Sequence, residues 1–331
     1  MILQCSPNAG SMKGEKMNRK GNDCGSIDQI DQILENSRLY AESFLSDGAV
    51  SSYIPALAAA DSSHIAGAVM LPDGACYKTG DSNVYFTIQS ISKVISYMYA
   101  LQLFGYDGVT QKVNVEPSGD PFNCFIKLET AGERPFNPFI NAGAITVISM
   151  LADKVQFKDA LDFACKIFGS DEGLNVDTDV FNQEMQAGKR NRSMAYLMSS
   201  KGVLGEDVEA YLNFYYCLCA IKVNVTHIAH MGSVLANSGV CPKTGKQIVP
   251  AWITRVAKAV MLTCGLYDGS GEFAVNIGIP AKSGIAGGIV AAAGGIGIGT
   301  YSPALDTKGN SVGGTKILQS LSKQLNLNLF S

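Results

Sequence analysis

Ser90 and Lys93 lie three positions apart in the run Phe86-Thr87-Ile88-Gln89-Ser90-Ile91-Ser92-Lys93-Val94. If the apolar stretch after Gln89 is helical, that spacing makes most of one turn and sends the hydroxyl and the amine out from the same face. A serine hydroxyl is a poor nucleophile by itself. A lysine that has lost its proton in a dry pocket can take the serine's proton and activate it. The chemistry on offer is covalent catalysis. The competing reading of an isolated Ser-x-x-Lys is a helix cap followed by a solvated charge, so the rest of the chain has to decide between them.

The elements that must position this pair read as a mixed fold. Residues 27–58 show helix-like apolar recurrence, followed by an extended segment at 65–70, the turn Leu71-Pro72-Asp73-Gly74 and a second extended segment at 75–79. Helical candidates then dominate at 92–104, 141–155, 157–168, 191–198, 208–223 and 226–237, separated by glycine and proline turns. β-Branched residues and glycines return at 272–279 and 285–298 before a terminal helix at 314–327. The sheet is therefore expected to draw on chain parts from both sides of a helical insertion.

The 331 residues are 47 % hydrophobic and 17 % charged, enough to bury a substantial core. A formal charge of -3 with 26 basic residues gives no general attraction for a nucleic-acid backbone. Residues 1–26 are polar, with local basic charge at Lys13, Lys16, Arg19 and Lys20, and are expected to be a mobile tail. The nine cysteines form no tight framework of the kind that staples small secreted domains, so reduced thiols in the cytoplasm are expected. Cys217-x-Cys219 reads as core packing. His227 and His230 share a helical face but lack an evident third and fourth ligand, so no metal is expected. Residues 283–304 carry no charge, yet their glycines make a poor membrane helix and suit a closely packed sheet. The N-terminus lacks the basic start, apolar core and cleavage site of a secretion signal.

Three further motifs extend the argument. Gln89-Ser90-Ile91-Ser92-Lys93, Asn137-Pro138-Phe139-Ile140-Asn141-Ala142-Gly143-Ala144-Ile145 and Pro280-Ala281-Lys282-Ser283-Gly284-Ile285-Ala286-Gly287-Gly288, in that order and spacing, resemble the serine-dependent glutaminase family. Tyr53-Ile54-Pro55-Ala56-Leu57, Arg190-Asn191 and Leu266-Tyr267-Asp268-Gly269-Ser270-Gly271 carry the resemblance over residues 27–327. It implies a serine β-lactamase/transpeptidase-like α/β (mixed α+β) fold, with a mainly antiparallel sheet flanked by helices and an inserted helical domain. The implied division is a sheet domain from 27–89 and 238–331 and a predominantly helical domain from 90–237, with the active site at their interface.

The same resemblance implies hydrolysis of L-glutamine by water to L-glutamate and ammonia, with no metal or organic cofactor. Ser90 would be the nucleophile, Lys93 its activating base and Tyr267 the proton carrier toward the leaving nitrogen. The backbone N–H groups of Ser90 and Ile285 would form the oxyanion hole. Tyr53, Asn141, Glu184, Asn191, Tyr215 and Tyr267 would join Ser90 and Ile285 in binding substrate, Glu184 attracting the ammonium end. Phe214-Tyr215-Tyr216 offers two adjacent phenols for one of those places. A cytoplasmic homodimer or homotetramer is implied, with neither nucleic acid nor membrane as a partner. The sequence departs from the family pattern at 1–26 and at Ala187-Gly188-Lys189-Arg190, where an acidic approach to the Arg-Asn pair is more usual. Lys282-Ser283-Gly284 is expected at the sheet edge, supporting the pocket.

Overall fold

A computed structural model describes residues 27–118 and 134–331, so the expected tail at 1–26 lies outside the described residues. Five strands form the main sheet: β1 (Ala66–Met70), β2 (Cys76–Gly80), β3 (Ala281–Ser283), β4 (Gly288–Ala293) and β5 (Ile296–Tyr301). Their order is β2-β1-β5-β4-β3, and every neighbouring pair is antiparallel. Helix α1 (Ile27–Glu42) precedes β1. Between β2 and β3 come α2 (Ser92–Thr110), α3 (Asn141–Ala152), α4 (Phe157–Phe168), α5 (Thr178–Ala187), α6 (Lys189–Ser200), α7 (Val208–Cys219), α8 (Val225–Ala236), α9 (Ala251–Cys264) and α10 (Ser270–Asn276). Helix α11 (Val312–Gln324) follows β5. The result is the expected mixed α/β fold, an antiparallel sheet flanked by helices.

Strands β1, β3, β4 and β5 are buried on both faces, and their two-residue period divides the core. Ile289 and Ala291 of β4, Ile296 and Ile298 of β5 and Val69 of β1 join Leu34 of α1 and Ile317 and Leu321 of α11 in one apolar cluster. Val290 and Ala292, with Ala66, Ala68 and Met70, turn to the other face and join the large helical cluster that includes Ile228 and Met231 of α8. Opposite α8, β5 presents glycines. A Cβ on Gly297 would lie 1.9 Å from the Ser233 nitrogen and 2.2 Å from the Ala229 carbonyl oxygen, both backbone atoms of α8. The charge-free glycine-rich run is therefore a strand over which a helix backbone passes. Among the described residues, no helix is long and apolar enough to cross a membrane.

Several expected elements change under tertiary pairing. The recurrence at 27–58 ends as a helix at Glu42, after which Ala49–Val50 pairs with Ala304–Leu305. The helix expected over 208–223 stops at Cys219 because Lys222–Val223 pairs with Phe86–Thr87, and Ile88 N–H donates to the Ile221 carbonyl at 2.9 Å. The segment 272–279 is not extended. It begins within α10, and Phe273 and Ile277, a helical turn apart, pack into the core. The span 285–298 divides into two strands joined at Gly294 and Gly295, whose φ values of 57° and 80° suit a two-residue hairpin turn. Helices α5 and α9 were not anticipated, although Asp177 caps the first through the N–H groups of Asp179 and Val180.

Gly297→Ala should lower stability by about 3 kcal/mol, the upper part of the usual range for overpacking, because backbone rather than a movable side chain meets the new methyl. Gly271→Ala, where a Cβ would meet nothing within 4 Å, should be neutral or slightly stabilising. Denaturant unfolding of both variants checks the contrast; equal midpoints would refute the close contact between α8 and β5.

Candidate active site

Ser90 and Lys93 sit where the short Phe86–Thr87 strand turns into α2. Gln89 makes the corner in the left-handed region, φ 48°, and Gln89–Ile91 forms a tight 3-10 turn before the helix begins at Ser92. Ser90 and Lys93 are both buried, the lysine only 1 % exposed. The end of β3 approaches this corner from across the sheet. A Cβ on Gly284 would lie 2.6 Å from the Ile88 carbonyl oxygen, so glycine permits the approach that puts Ile285 and Ser90 on one cavity wall. No backbone hydrogen bond among the described residues uses the N–H of Ser90 or of Ile285, whereas those of Ile91 and Gly284 donate to Ile88 and Gly288.

The cavity has a volume of about 360 Å³ and is lined by Ser90, Tyr53, Asn141, Glu184, Asn191, Tyr215 and Ile285. Seven residues separated by up to 232 positions (285 − 53) are thus brought to one surface. Lys93 lies behind that surface. Tyr267 is placed differently from the others: it fronts a separate cavity of about 130 Å³, while its hydroxyl hydrogen-bonds the Ser90 side chain and donates to the Ser283 carbonyl at 3.2 Å. Lys282, on edge strand β3, supports it from the sheet side. Its Nζ donates to the same Ser283 carbonyl at 2.6 Å and lies 4.4 Å from the centre of the Tyr267 ring.

Lys93 Nζ donates to Asn141 Oδ1 at 2.6 Å and to the Phe139 carbonyl at 3.1 Å. Because an amine is the donor there, the Asn141 amide is oriented with its oxygen toward Lys93 and its nitrogen away. Asn141 Nδ2 then donates to Asn191 Oδ1 at 2.9 Å, and Asn191 Nδ2 to the Tyr216 hydroxyl at 3.0 Å. Tyr216 in turn hydrogen-bonds Tyr53, which is 41 % exposed at the cavity mouth. The buried amine so sets the polarity of a hydrogen-bond chain reaching the surface. Each amide nitrogen keeps a second N–H beyond the one used in the chain.

Burial shifts the ionisable groups. It brings the Lys93 amine down to about 8, against the opposing pull of Cys219 and Glu184. It pushes the Glu184 carboxyl up to about 8, despite a hydrogen bond from Gln89 and the charge of Lys93. Glu184 Oε2 is buried and has no hydrogen-bond partner among the described residues. The Tyr267 hydroxyl is raised, by burial before any other cause, and the Lys282 amine is held well below the ordinary range by burial and then by Lys93. A neutral Lys93 carries a lone pair that can receive a proton. The arrangement can therefore supply a hydroxyl nucleophile, a proton acceptor and polar anchors in one pocket.

Both phenols of the adjacent pair line the cavity: Tyr216 holds Asn191, while Tyr215 hydrogen-bonds Cys219. Gln89 was not assigned to the site from sequence, although it immediately precedes Ser90; Tyr216 was offered only as the alternative to Tyr215, and Cys219 was read as core packing, because neither announces a pocket role in an apolar helix. Arg190 also reaches the cavity, as do Ser51 and the turn at 306–309. Among the described residues, no three His, Cys, Asp or Glu side chains are grouped as a metal site.

The glutaminase family model matches residues 48–330. A glutaminase of Clostridium botulinum (strain Loch Maree / Type A3) is 46 % identical over 303 residues, covering 90 % of this chain and 98 % of that protein. A Clostridium tetani glutaminase is 44 % identical over 307 residues, with coverage of 91 % and 99 %. The solved structure of a Bacillus subtilis probable glutaminase superposes with a TM-score of 0.84 at 35 % identity, covering 91 % of this chain and 97 % of that one. Another, of a Bacillus subtilis probable glutaminase complexed with 6-diazo-5-oxo-L-norleucine, gives a TM-score of 0.82 at 35 % identity, with coverage of 91 % and 97 %.

The site itself makes a prediction about charge. One lysine should titrate with a midpoint near 8 in the folded chain, and Asn141→Asp should move that midpoint upward, because a carboxylate beside the amine favours the ammonium form. NMR titration of lysines labelled at Cε, with Lys93→Met to assign the signal, measures it. A midpoint unchanged or lowered in Asn141→Asp would rule out the hydrogen bond between these two residues.

Proposed function

The chain belongs to the glutaminase family, and from that premise we propose that it hydrolyses L-glutamine to L-glutamate and ammonia through an acyl-enzyme on Ser90. The observation that carries this reading is the Ser90 hydroxyl hydrogen-bonded to Tyr267 in a site where burial has brought the Lys93 amine down to about 8. Ser90 Oγ attacks the side-chain amide carbon, and its proton passes by way of Tyr267 to neutral Lys93. The oxyanion that forms is met by the N–H groups of Ser90 and Ile285, which the fold does not otherwise employ. The proton then returns to the amide nitrogen, the C–N bond breaks and ammonia leaves. Water, deprotonated by the same relay, adds to the ester and releases glutamate.

Recognition follows from the groups that border the cavity. Glu184 holds the substrate ammonium; the arriving cation favours the ionised carboxylate and offsets the burial that raises its pKa. The spare N–H groups of Asn141 and Asn191 suit the carboxylate, and Tyr53 and Tyr215 confine the aliphatic stem. The same proposal includes a sheet unit of 27–89 and 238–331, a helical unit of 90–237 with the reaction between them, and a cytoplasmic homodimer or homotetramer.

Purified enzyme should release ammonia and glutamate from L-glutamine, with kcat/KM rising through pH 8 as Lys93 loses its proton. Ser90→Ala should fold normally and lose roughly 10⁴-fold or more in kcat. 6-Diazo-5-oxo-L-norleucine should add covalently to Ser90, as read by intact mass and peptide mapping. Labelling at another residue together with full turnover by Ser90→Ala would move the nucleophile elsewhere.

Glutamine should also be preferred over asparagine. With the ammonium anchored at Glu184, loss of one methylene withdraws the amide carbon from Ser90 by about 1 Å, worth roughly 100-fold in rate. Glu184→Gln should raise KM for glutamine far more than it lowers the single-turnover acylation rate at saturation. Equal efficiency on both amino acids in the wild type would refute this anchoring.

A further inference from the structure

A second pairing of a nucleophile with a base lies away from the glutamine cavity, where the turn after α8 meets the end of α4. Cys241 Sγ stands 3.6 Å from His230 Nε2. The other ring nitrogen, Nδ1, lies 2.9 Å from the Ile167 carbonyl oxygen. A carbonyl can only accept, so Nδ1 carries the hydrogen of the neutral ring. Nε2 is left with its lone pair directed at the thiol. His230 is held neutral chiefly by burial and is fixed in place by contact: a Cβ on Gly169 would lie 2.4 Å from its ring. Gly169 ends α4 in the left-handed conformation, φ 64°, and its carbonyl accepts from Lys243 Nζ at 2.7 Å. The imidazole is thus oriented by one backbone carbonyl and clamped by a residue that has no side chain.

The other described thiols lack this arrangement. Cys219 faces the Ser92 hydroxyl, Cys264 the Thr263 hydroxyl, Cys217 the Asn213 amide oxygen, and Cys76 a backbone carbonyl. None of those partners is a base at neutral pH. Burial also raises the pKa of Cys76, Cys165, Cys217, Cys219 and Cys264, which keeps them protonated. Cys241 lies at the base of a turn whose residues 243–247 are exposed, and it keeps 8 % of its own surface open.

We propose that Cys241 and His230 form a modification site at which the thiol is oxidised to a sulfenic acid by small hydroperoxides. The Sγ–H proton passes to Nε2, and the thiolate attacks one peroxide oxygen while the O–O bond breaks. The departing hydroxide or alkoxide takes the proton back from Nε2 and leaves as water or alcohol. Sulfur loses two electrons and the peroxide gains them, so thiol and hydroperoxide become sulfenic acid and water or alcohol without a further reactant.

The test treats the full chain with hydrogen peroxide in the presence of a 1,3-diketone that traps sulfenic acid, and follows each cysteine-containing peptide by mass. Cys241 should be trapped at least about 10-fold faster than Cys76, Cys165, Cys217, Cys219 or Cys264, and loss of the base in His230→Gln should slow it about 100-fold. Cys241→Ser should remove the adduct and leave glutamine turnover intact. Should His230→Gln fail to fold, competition among thiols in the wild type decides alone. Faster trapping at Cys76 or Cys264, or an unchanged rate at Cys241 in folded His230→Gln, overturns the proposal.

Discussion

A lysine amine taken entirely out of water is the constraint on which the site depends. An ammonium ion there would lose its hydration, so burial shifts the balance toward the neutral amine and brings Lys93 down to about 8. The buried amine needs acceptors. It finds them in the Phe139 carbonyl and in Asn141, one just before α3 and the other at its first residue. Because Lys93 can only donate to these oxygens, it dictates which way Asn141 faces, and Asn141 dictates Asn191. One buried amine thereby orients a row of amide groups along the cavity wall.

The same exclusion of water acts on Glu184 in the opposite sense. An amine and a carboxyl buried in one site are each driven toward neutrality, and each partly restores the charge of the other. A ligand that brings its own cation would shift that balance at Glu184 toward the carboxylate.

Absent side chains do as much structural work here as present ones. Gly284 lets β3 come against the chain at Ile88, and the glycines of β5 let α8 lie on the sheet backbone to backbone. Such contacts leave no slack, which suits the proposed oxyanion hole, whose two N–H groups come from distant segments. Lys282 and Tyr267 both donate to the Ser283 carbonyl at the end of β3.

The sequence by itself determined the spacing of Ser90 and Lys93, the strand-rich glycine segment and the long helices, because these are local: a spacing of three, a two-residue period, a run without charge. Residues 157–168 are helical in both the expectation and the structure, since their apolar period needs no partner to be read. It did not determine where 208–223 would break, because that depends on Lys222–Val223 finding Phe86–Thr87 across the fold. Nor did it rank Tyr215 against Tyr216; adjacent phenols look alike until Asn191 and Cys219 approach from opposite sides. The kinship of the motifs pointed to Glu184 as an acid of the pocket. Only the tertiary structure decided that burial would raise its pKa and leave one oxygen unpartnered, because desolvation is a property of everything packed around a group and of nothing in its neighbours along the chain.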